Sequence, residues 1–192
     1  MFGGAYVLVP QAETFWLDNG SHSLSPEGLD ALTGKSIYTE NLKNVIDTYV
    51  SENPDIDSNR IYVGGCSNGG FMTVNMIANY PGFFAAGFPV CEPFPNDKLT
   101  KDQKQSLADT PLWFVQAETD PLVPADVFVK PLVKELEGMK AKDVYLTNYD
   151  KVEDKTGQFF MEDGKTPYEY MGHLSWIDAL NNDPSRKIDG KD

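Results

Sequence analysis

The chain has 192 residues and a formal net charge of −13, because 29 acidic side chains outnumber 16 basic ones. This excess of negative charge repels phosphate backbones, so we do not expect nucleic acid as a partner. A chain of this length can bury one sizeable core, and we expect a single domain over residues 1–192.

Short β-rich runs alternate with helical patterns along the chain. Most of the runs are almost continuously apolar, as is typical of strands that are covered on both faces. The patterns predict strands at residues 5–9, 60–64, 85–90, 112–117 and 143–149, and helices at 36–52, 71–80, 131–139 and 174–180. Residues 150–170 show no clear period and are interpreted as a long loop. The alternation predicts an α/β fold with a mostly parallel sheet flanked by helices.

The most informative segment has the pattern G-x-S-x-G, with Gly65, Ser67 and Gly69 between a predicted strand and a predicted helix. This is the context of a nucleophile elbow, in which a serine occupies a strained turn and flanking glycines avoid collisions. The helix that follows would aim free N–H groups at an oxyanion, so Asn68 N–H is a candidate donor. The alternative is a plain tight turn or a phosphate loop, but the P-loop lysine and the third glycine of a dinucleotide motif are absent.

A nucleophilic serine needs a base, and the chain contains two histidines, His22 and His173. His22 lies in a polar loop upstream of Ser67, where a solvated surface histidine is the favoured interpretation. His173 follows the last predicted strand and precedes the last predicted helix. It is our candidate base, although a lone histidine at such a place can also be a satisfied core residue.

The candidate acid comes from the chain order Ser, Asp or Glu, His that is typical of α/β-hydrolases. Asp120 lies just beyond the carboxyl end of the strand predicted at residues 112–117, which is where α/β sheets place their sites. Glu118 and Asp150 are weaker alternatives, because an acid near the end of a strand often only caps a turn. We therefore predict Asp120 as the acid.

Three segments resemble those of α/β-hydrolase serine esterases related to the prolyl-oligopeptidase-like and polyhydroxybutyrate-depolymerase-like families. They read NRIYVGGCSNGGFMT, PLWFVQAETDPLVP and GHLSWIDALNND, and resemble the elbow, the acid loop and the histidine loop. The resemblance implies hydrolysis of small-molecule, short-chain carboxylic esters through an acyl-enzyme, with Ser67, Asp120 and His173 as a catalytic triad. It implies neither a metal nor an organic cofactor.

The start of the chain departs from this family pattern. In the family, several strands and the loop with the second oxyanion-hole donor precede the region equivalent to residues 5–10, so the chain looks N-terminally truncated by comparison. The strand predicted at residues 5–9 would then have an unpaired edge, and we expect either a homo-oligomer to form through it or a neighbouring polypeptide to complete the sheet. A half-built oxyanion hole leaves two other functions open: a catalytically weak module for binding or assembly, and a peptidase of the prolyl-oligopeptidase type.

Two further residues are candidate substrate contacts. Trp16 follows the first predicted strand, where it would form a wall of the pocket or cover the edge of the core. Glu92 follows the strand predicted next to the elbow strand, and we expect it to make a polar contact at the pocket rim.

Several other classes of protein are not expected. Two cysteines, Cys66 and Cys91, are too few for an all-cysteine zinc site, and they form either one disulfide or two free thiols. The longest apolar runs fall far short of the roughly 20 residues that span a bilayer, so we expect a soluble protein without a membrane partner. Residues 1–11 lack the pattern of an export signal, but a removed signal would leave the same picture, so the localisation stays open.

Overall fold

The computed structural model describes residues 4–20, 32–141 and 143–181, in which helices and strands alternate. The helices are α1 (Thr39–Glu52), α2 (Asn68–Asn79), α3 (Lys101–Asp109), α4 (Val129–Gly138) and α5 (Trp176–Leu180). The strands are β1 (Tyr62–Cys66), β2 (Ala86–Val90), β3 (Leu112–Ala117), β4 (Val144–Tyr149), β5 (Val152–Glu153) and β6 (Glu169–Tyr170).

Strands β1, β2, β3 and β4 form one sheet in chain order, and all three neighbouring pairs are parallel. Helices α2, α3 and α4 provide the successive crossovers between them. This arrangement confirms the predicted α/β fold. Because the strands are parallel, the loops that follow β1, β2 and β3 meet at the same edge of the sheet.

The larger core lies between the sheet and helices α2, α3 and α4. Helix α2 is the most deeply placed element, since residues 70–78 are all buried. The side chains with at most 1% exposure in this core include Phe71, Met76, Ile77, Phe94, Leu107, Phe114, Leu132 and Leu136. The other face of the sheet carries a smaller cluster around Val90, Cys91 and Val115, against which Ala179 of α5 packs.

The strand predicted at residues 5–9 is wrong. Residues 4–12 have no regular secondary structure, and Val7 is 79% exposed. A strand requires a hydrogen-bonded neighbour, and none of the described strands pairs with this segment. Instead, Tyr6 Oη donates to Asp55 at 2.8 Å and its ring packs edge-on against Tyr49 of α1. One edge of the described sheet is therefore β1, and the other is β4.

Three further elements, helix α3 and strands β5 and β6, were not predicted. Helix α3 begins with a capping box, in which Thr100 Oγ1 accepts from Gln103 N–H at 3.2 Å and Gln103 Oε1 accepts from Thr100 N–H at 3.0 Å. The segment interpreted as a loop, residues 150–170, contains the antiparallel pair of β5 and β6. Among the described residues, no helix combines the length and hydrophobicity that crossing a bilayer requires.

Candidate active site

Ser67 occupies the turn between β1 and α2, as the elbow motif predicted. Its φ of 57° and ψ of −117° form a backbone conformation that residues with a side chain rarely adopt. Ser67 N–H donates to Val90 O at 2.8 Å, and Ser67 O accepts from Phe71 N–H at 2.9 Å. These two bonds hold the serine between the end of β2 and the first turn of α2.

Two glycines allow the close approach of backbones around this turn. A Cβ on Gly65 would lie 2.6 Å from the Gly69 backbone, and a Cβ on Gly70 would lie 2.7 Å from Val90 O. A Cβ on Gly69 would meet open space. Steric necessity therefore explains Gly65 and Gly70, but it does not explain Gly69 of the sequence motif.

The loop after β3 holds the Asp120 carboxylate in one orientation. Asp120 Oδ1 accepts from the N–H groups of Leu122 and Val123, both at 2.9 Å. Its Oδ2 accepts from Gln116 Nε2 at 3.1 Å, and the same amide nitrogen donates to Val123 O at 2.8 Å. Asp120 is only 4% exposed, so these donors replace most of its contact with water.

His173 lies in a short 3₁₀ helix, Gly172–Leu174, and its imidazole meets Asp120. The distance between His173 Nδ1 and Asp120 Oδ2 is 2.9 Å, although 53 residues separate the two in the chain. Burial opposes ionisation of Asp120, but hydrogen bonds from His173 and from two backbone N–H groups outweigh it and lower the pKa of the carboxyl. The same hydrogen bond raises the pKa of His173 against the opposing effect of burial. With Nδ1 bound to the carboxylate, Nε2 is the ring nitrogen that can exchange a proton.

Gly172 lets the histidine loop reach the acid loop. A Cβ at this position would collide with the backbone of Thr119 and Asp120. The contact between His173 and Asp120 thus depends on the missing side chain of the preceding residue.

The structure brings Trp16 and Asn68 together at the start of α2. Trp16 N–H donates to Asn68 Oδ1 at 2.6 Å, and the indole packs edge-on against Tyr38 with ring centroids 5.7 Å apart. The ring is half-buried against the larger core. Trp16 therefore lies beside the elbow through its backbone, whereas its ring helps to cover the core.

Glu92 lies in the interior, which contradicts its predicted place at a pocket rim. It is 1% exposed, and its Oε2 accepts from Phe94 N–H at 2.7 Å. The N-terminal turn of α2 covers it, because a Cβ on Gly70 would lie 3.0 Å from Glu92 Cβ. Burial raises the pKa of Glu92 well above its usual range, which favours the neutral acid.

The alternative site residues lie elsewhere. Glu118 pairs with Lys130 at 2.6 Å, and Asp150 is exposed just beyond β4. His22 lies outside the described residues. Among the described acids, Asp120 is therefore the one that meets His173.

Three side chains come close enough together to hold a metal ion. A ligand atom from each of Cys91, Asp120 and His173 lies within 4.8 Å of the others. Hydrogen bonds engage all three, because Cys91 Sγ contacts Ser175 Oγ at 3.0 Å and His173 Nδ1 is bound to Asp120. The expectation of a site without metal stays a prediction.

An open apolar groove of about 300 Å³ lies on the sheet face that carries the smaller cluster. Its lining consists of Phe88, Val90, Trp113, Ala179 and Leu180. None of these residues belongs to the predicted site, so this groove is not a candidate substrate pocket.

Comparisons with known proteins agree with this geometry. The sequence pattern of the "Prolyl oligopeptidase family" matches residues 32–108, a range that includes the elbow. A thermostable esterase of known structure is 32% identical with a TM-score of 0.55, and the match covers 74% of this chain and 34% of that one. No curated protein matches the chain.

More distant structures share the fold. Acylaminoacyl peptidase from Pyrococcus horikoshii is 20% identical with a TM-score of 0.51, over 62% of this chain and 24% of that one. An acylaminoacyl peptidase in complex with Z-Gly-Gly-Phe-chloromethyl ketone is 18% identical with a TM-score of 0.52, over 83% of this chain and 29% of that one. The chain spans about a third of the length of the thermostable esterase and less than a third of the length of the two peptidases. Together with the parallel sheet and the elbow, the comparisons show that the chain has the α/β-hydrolase fold and is similar to the prolyl oligopeptidase family and to an esterase.

Proposed function

We propose that this chain is a serine hydrolase that cleaves short-chain carboxylic esters, with Ser67 as nucleophile, His173 as base and Asp120 as its acidic partner. The observation that carries the proposal is the 2.9 Å contact between His173 Nδ1 and Asp120 Oδ2. This pair lies at the carboxyl ends of the parallel strands, where Ser67 occupies the strained turn that follows β1. A serine with an oriented imidazole and carboxylate is the arrangement that nucleophilic acyl transfer requires.

The proposed reaction passes through an acyl-enzyme. His173 Nε2 takes the proton from Ser67 Oγ as this oxygen attacks the ester carbonyl, and Asp120 stabilises the imidazolium that forms. Asn68 N–H, at the positive end of α2, receives the developing oxyanion. His173 then protonates the departing alcohol, and a water molecule hydrolyses the acyl-enzyme with the same histidine as base.

The comparisons support both an ester and a peptide as substrate. The relative at 32% identity is an esterase, whereas the family that matches residues 32–108 is named for an oligopeptidase. A peptidase of the prolyl-oligopeptidase type is therefore the second candidate. The rates on p-nitrophenyl acetate and on an acetylated amino-acid p-nitroanilide separate the two, and we expect the ester to react faster.

The decisive variant is Ser67→Ala. We expect it to abolish labelling by a fluorophosphonate and to lower turnover of a p-nitrophenyl ester by up to about a millionfold, because the nucleophile is lost. Ser51→Ala is the matched control, since Ser51 is an exposed serine whose hydroxyl donates to Thr48 O at 2.8 Å. Unchanged turnover in Ser67→Ala would contradict the mechanism. A folded wild-type chain that the probe does not label would instead indicate the binding or assembly module.

A further inference from the structure

The two cysteines of the chain lie side by side beneath the candidate active site. Cys66 is the last residue of β1, Cys91 directly follows β2, and the strand register pairs Cys66 with Val90. The bond of 2.8 Å from Ser67 N–H to Val90 O holds these strand ends together. Both thiols are free, and Cys66 packs against the buried cluster that contains Cys91. Because neighbouring strands lie about 4.8 Å apart, cysteines at such strand ends have the backbone spacing that a disulfide spans.

The two thiols differ in their surroundings. Cys91 is fully buried, and its Sγ contacts Ser175 Oγ at 3.0 Å and His173 O at 3.3 Å. Cys66 is only partly buried. The neighbouring Cys91 thiol lowers the pKa of Cys66, whereas the neighbouring Cys66 and burial raise the pKa of Cys91. A more accessible and more acidic thiol beside a second thiol is the arrangement found in redox-sensing cysteine pairs.

We propose that Cys66 and Cys91 form a reversible oxidation site that hydrogen peroxide closes to a disulfide, and that this disulfide slows the reaction of Ser67. In the first step the Cys66 thiolate attacks one peroxide oxygen, the O–O bond breaks and hydroxide leaves, which gives a sulfenic acid. In the second step Cys91 Sγ attacks the sulfur of Cys66 and the S–O bond breaks. The hydroxide that leaves combines with the proton of the Cys91 thiol to form water. Two thiols and one peroxide thus become one disulfide and two waters.

The predicted effect on Ser67 follows from the contacts that the disulfide replaces. Cys66 directly precedes Ser67, so a new bond at its sulfur changes the strained turn. Bonding between the sulfurs also removes the Cys91 thiol proton, and with it the hydrogen bond to His173 O. Displacement of a catalytic group by about 1 Å costs on the order of a hundredfold in rate. This second part rests on the proposed function, whereas formation of the disulfide does not.

Mass spectrometry tests the oxidation site without any measurement of activity. After a brief peroxide treatment, we expect the wild-type chain to lose two hydrogen atoms, to resist alkylation, and to recover both thiols with dithiothreitol. Cys91→Ser removes the second thiol, so Cys66 should stop at a sulfenic acid that dimedone traps. In Cys66→Ser, Cys91 should remain alkylatable. Two alkylatable thiols in peroxide-treated wild type, or equal oxidation of Cys91 in Cys66→Ser, would overturn the proposal.

The rate of fluorophosphonate labelling tests the effect on Ser67. We expect oxidised wild type to react about tenfold or more slowly than reduced wild type, and dithiothreitol to restore the rate. Cys91→Ser is the control, because it cannot form the disulfide. Equal rates for the oxidised and reduced chains would overturn the proposed slowing even if the disulfide forms. If reduced wild type is not labelled at all, the proposed function fails, and the mass measurement still decides the oxidation site.

Discussion

The two sides of the candidate active site are held in different ways. On the acid-base side, Asp120 is 4% exposed and its carboxylate is bound by backbone N–H groups and by His173. On the oxyanion side, the side chain of Asn68 accepts a hydrogen bond from the backbone N–H of Trp16. The segment that leads to Trp16 has no regular secondary structure, and its Val7 is 79% exposed. The first side is built from strand ends and their loops, whereas the second depends on a segment that pairs with none of the described strands.

This difference indicates which changes should disturb which part of the chemistry. Substitutions in the acid and histidine loops should alter the basicity of His173. Substitutions around Asn68 should lower the rate but leave that basicity unchanged. The following predictions test this separation.

We expect the largest effect from Asp120→Asn. An amide cannot hold His173 in the tautomer with its proton on Nδ1, so kcat/KM should fall by about ten thousandfold. Asp126→Asn is the control, because the Asp126 side chain is 82% exposed and pairs with Lys130 on the surface. Steady-state kinetics on a p-nitrophenyl ester measure the effect, and a loss below tenfold would remove Asp120 from the proposed triad.

Gly172→Ala should separate the acid loop from the histidine loop. The new Cβ meets the backbone of Thr119 and Asp120, and the resulting displacement should cost on the order of a hundredfold in kcat. Its melting temperature should also fall. Gly138→Ala is the matched control, because a Cβ meets nothing within 4 Å at this last residue of α4. Equal activity and stability of the two variants would contradict the close approach.

Asn68→Ala should have a smaller effect, about tenfold on kcat, because the variant keeps the Asn68 N–H and loses only the acceptor for Trp16 N–H. The pH at which activity is half-maximal should not move. Asn59→Ala provides a control, since the Asn59 side chain contacts Asp57 in a surface turn. A shift of the pH profile in Asn68→Ala would show that the two sides of the site are coupled.

The pH dependence reports on the acid-base side directly. The hydrogen bond to Asp120 raises the pKa of His173, so the neutral imidazole forms at higher pH than in a free histidine, whose pKa is about 6.5. Activity should therefore rise as the pH passes through the raised pKa of His173. The NMR titration of His173 in a His22→Gln chain measures this pKa, and Asp120→Asn should lower the pKa of His173. An unchanged His173 pKa in that variant would contradict the origin of the shift.

The expected self-association now concerns β1 rather than residues 5–9. We propose that chains associate through this edge, where Tyr62 is 62% exposed. The sedimentation coefficient should increase with concentration, and Tyr62→Lys should reduce this increase by placing a charge on the edge. A concentration-independent monomer would exclude the homo-oligomer.

The sequence predicted those elements whose signal lies within the element itself. Strand β3 was predicted with its observed bounds, because its apolar run is continuous and turn residues follow it. Chain order and strand ends also predicted that Asp120 and His173 would meet.

What the sequence did not predict depends on neighbours far along the chain. An apolar run such as residues 5–9 does not show whether a partner strand is available. The burial of Glu92 results from Gly70 lying against it, and no local pattern records that contact. Helix α3 has too few apolar residues for a clear period, but the pair Thr100 and Gln103 was a capping signal that could have located its start.

The backbone of Ser67 has a consequence for how this protein can change over generations. A residue with a side chain at φ 57° and ψ −117° costs on the order of 1–3 kcal/mol relative to one that tolerates this conformation. A mutation to glycine would relieve the conformational penalty and remove the hydroxyl in one step. A descendant with Ser67→Gly would therefore fold more stably than its parent but lack the proposed nucleophile, so selection on activity is needed to keep the serine in place.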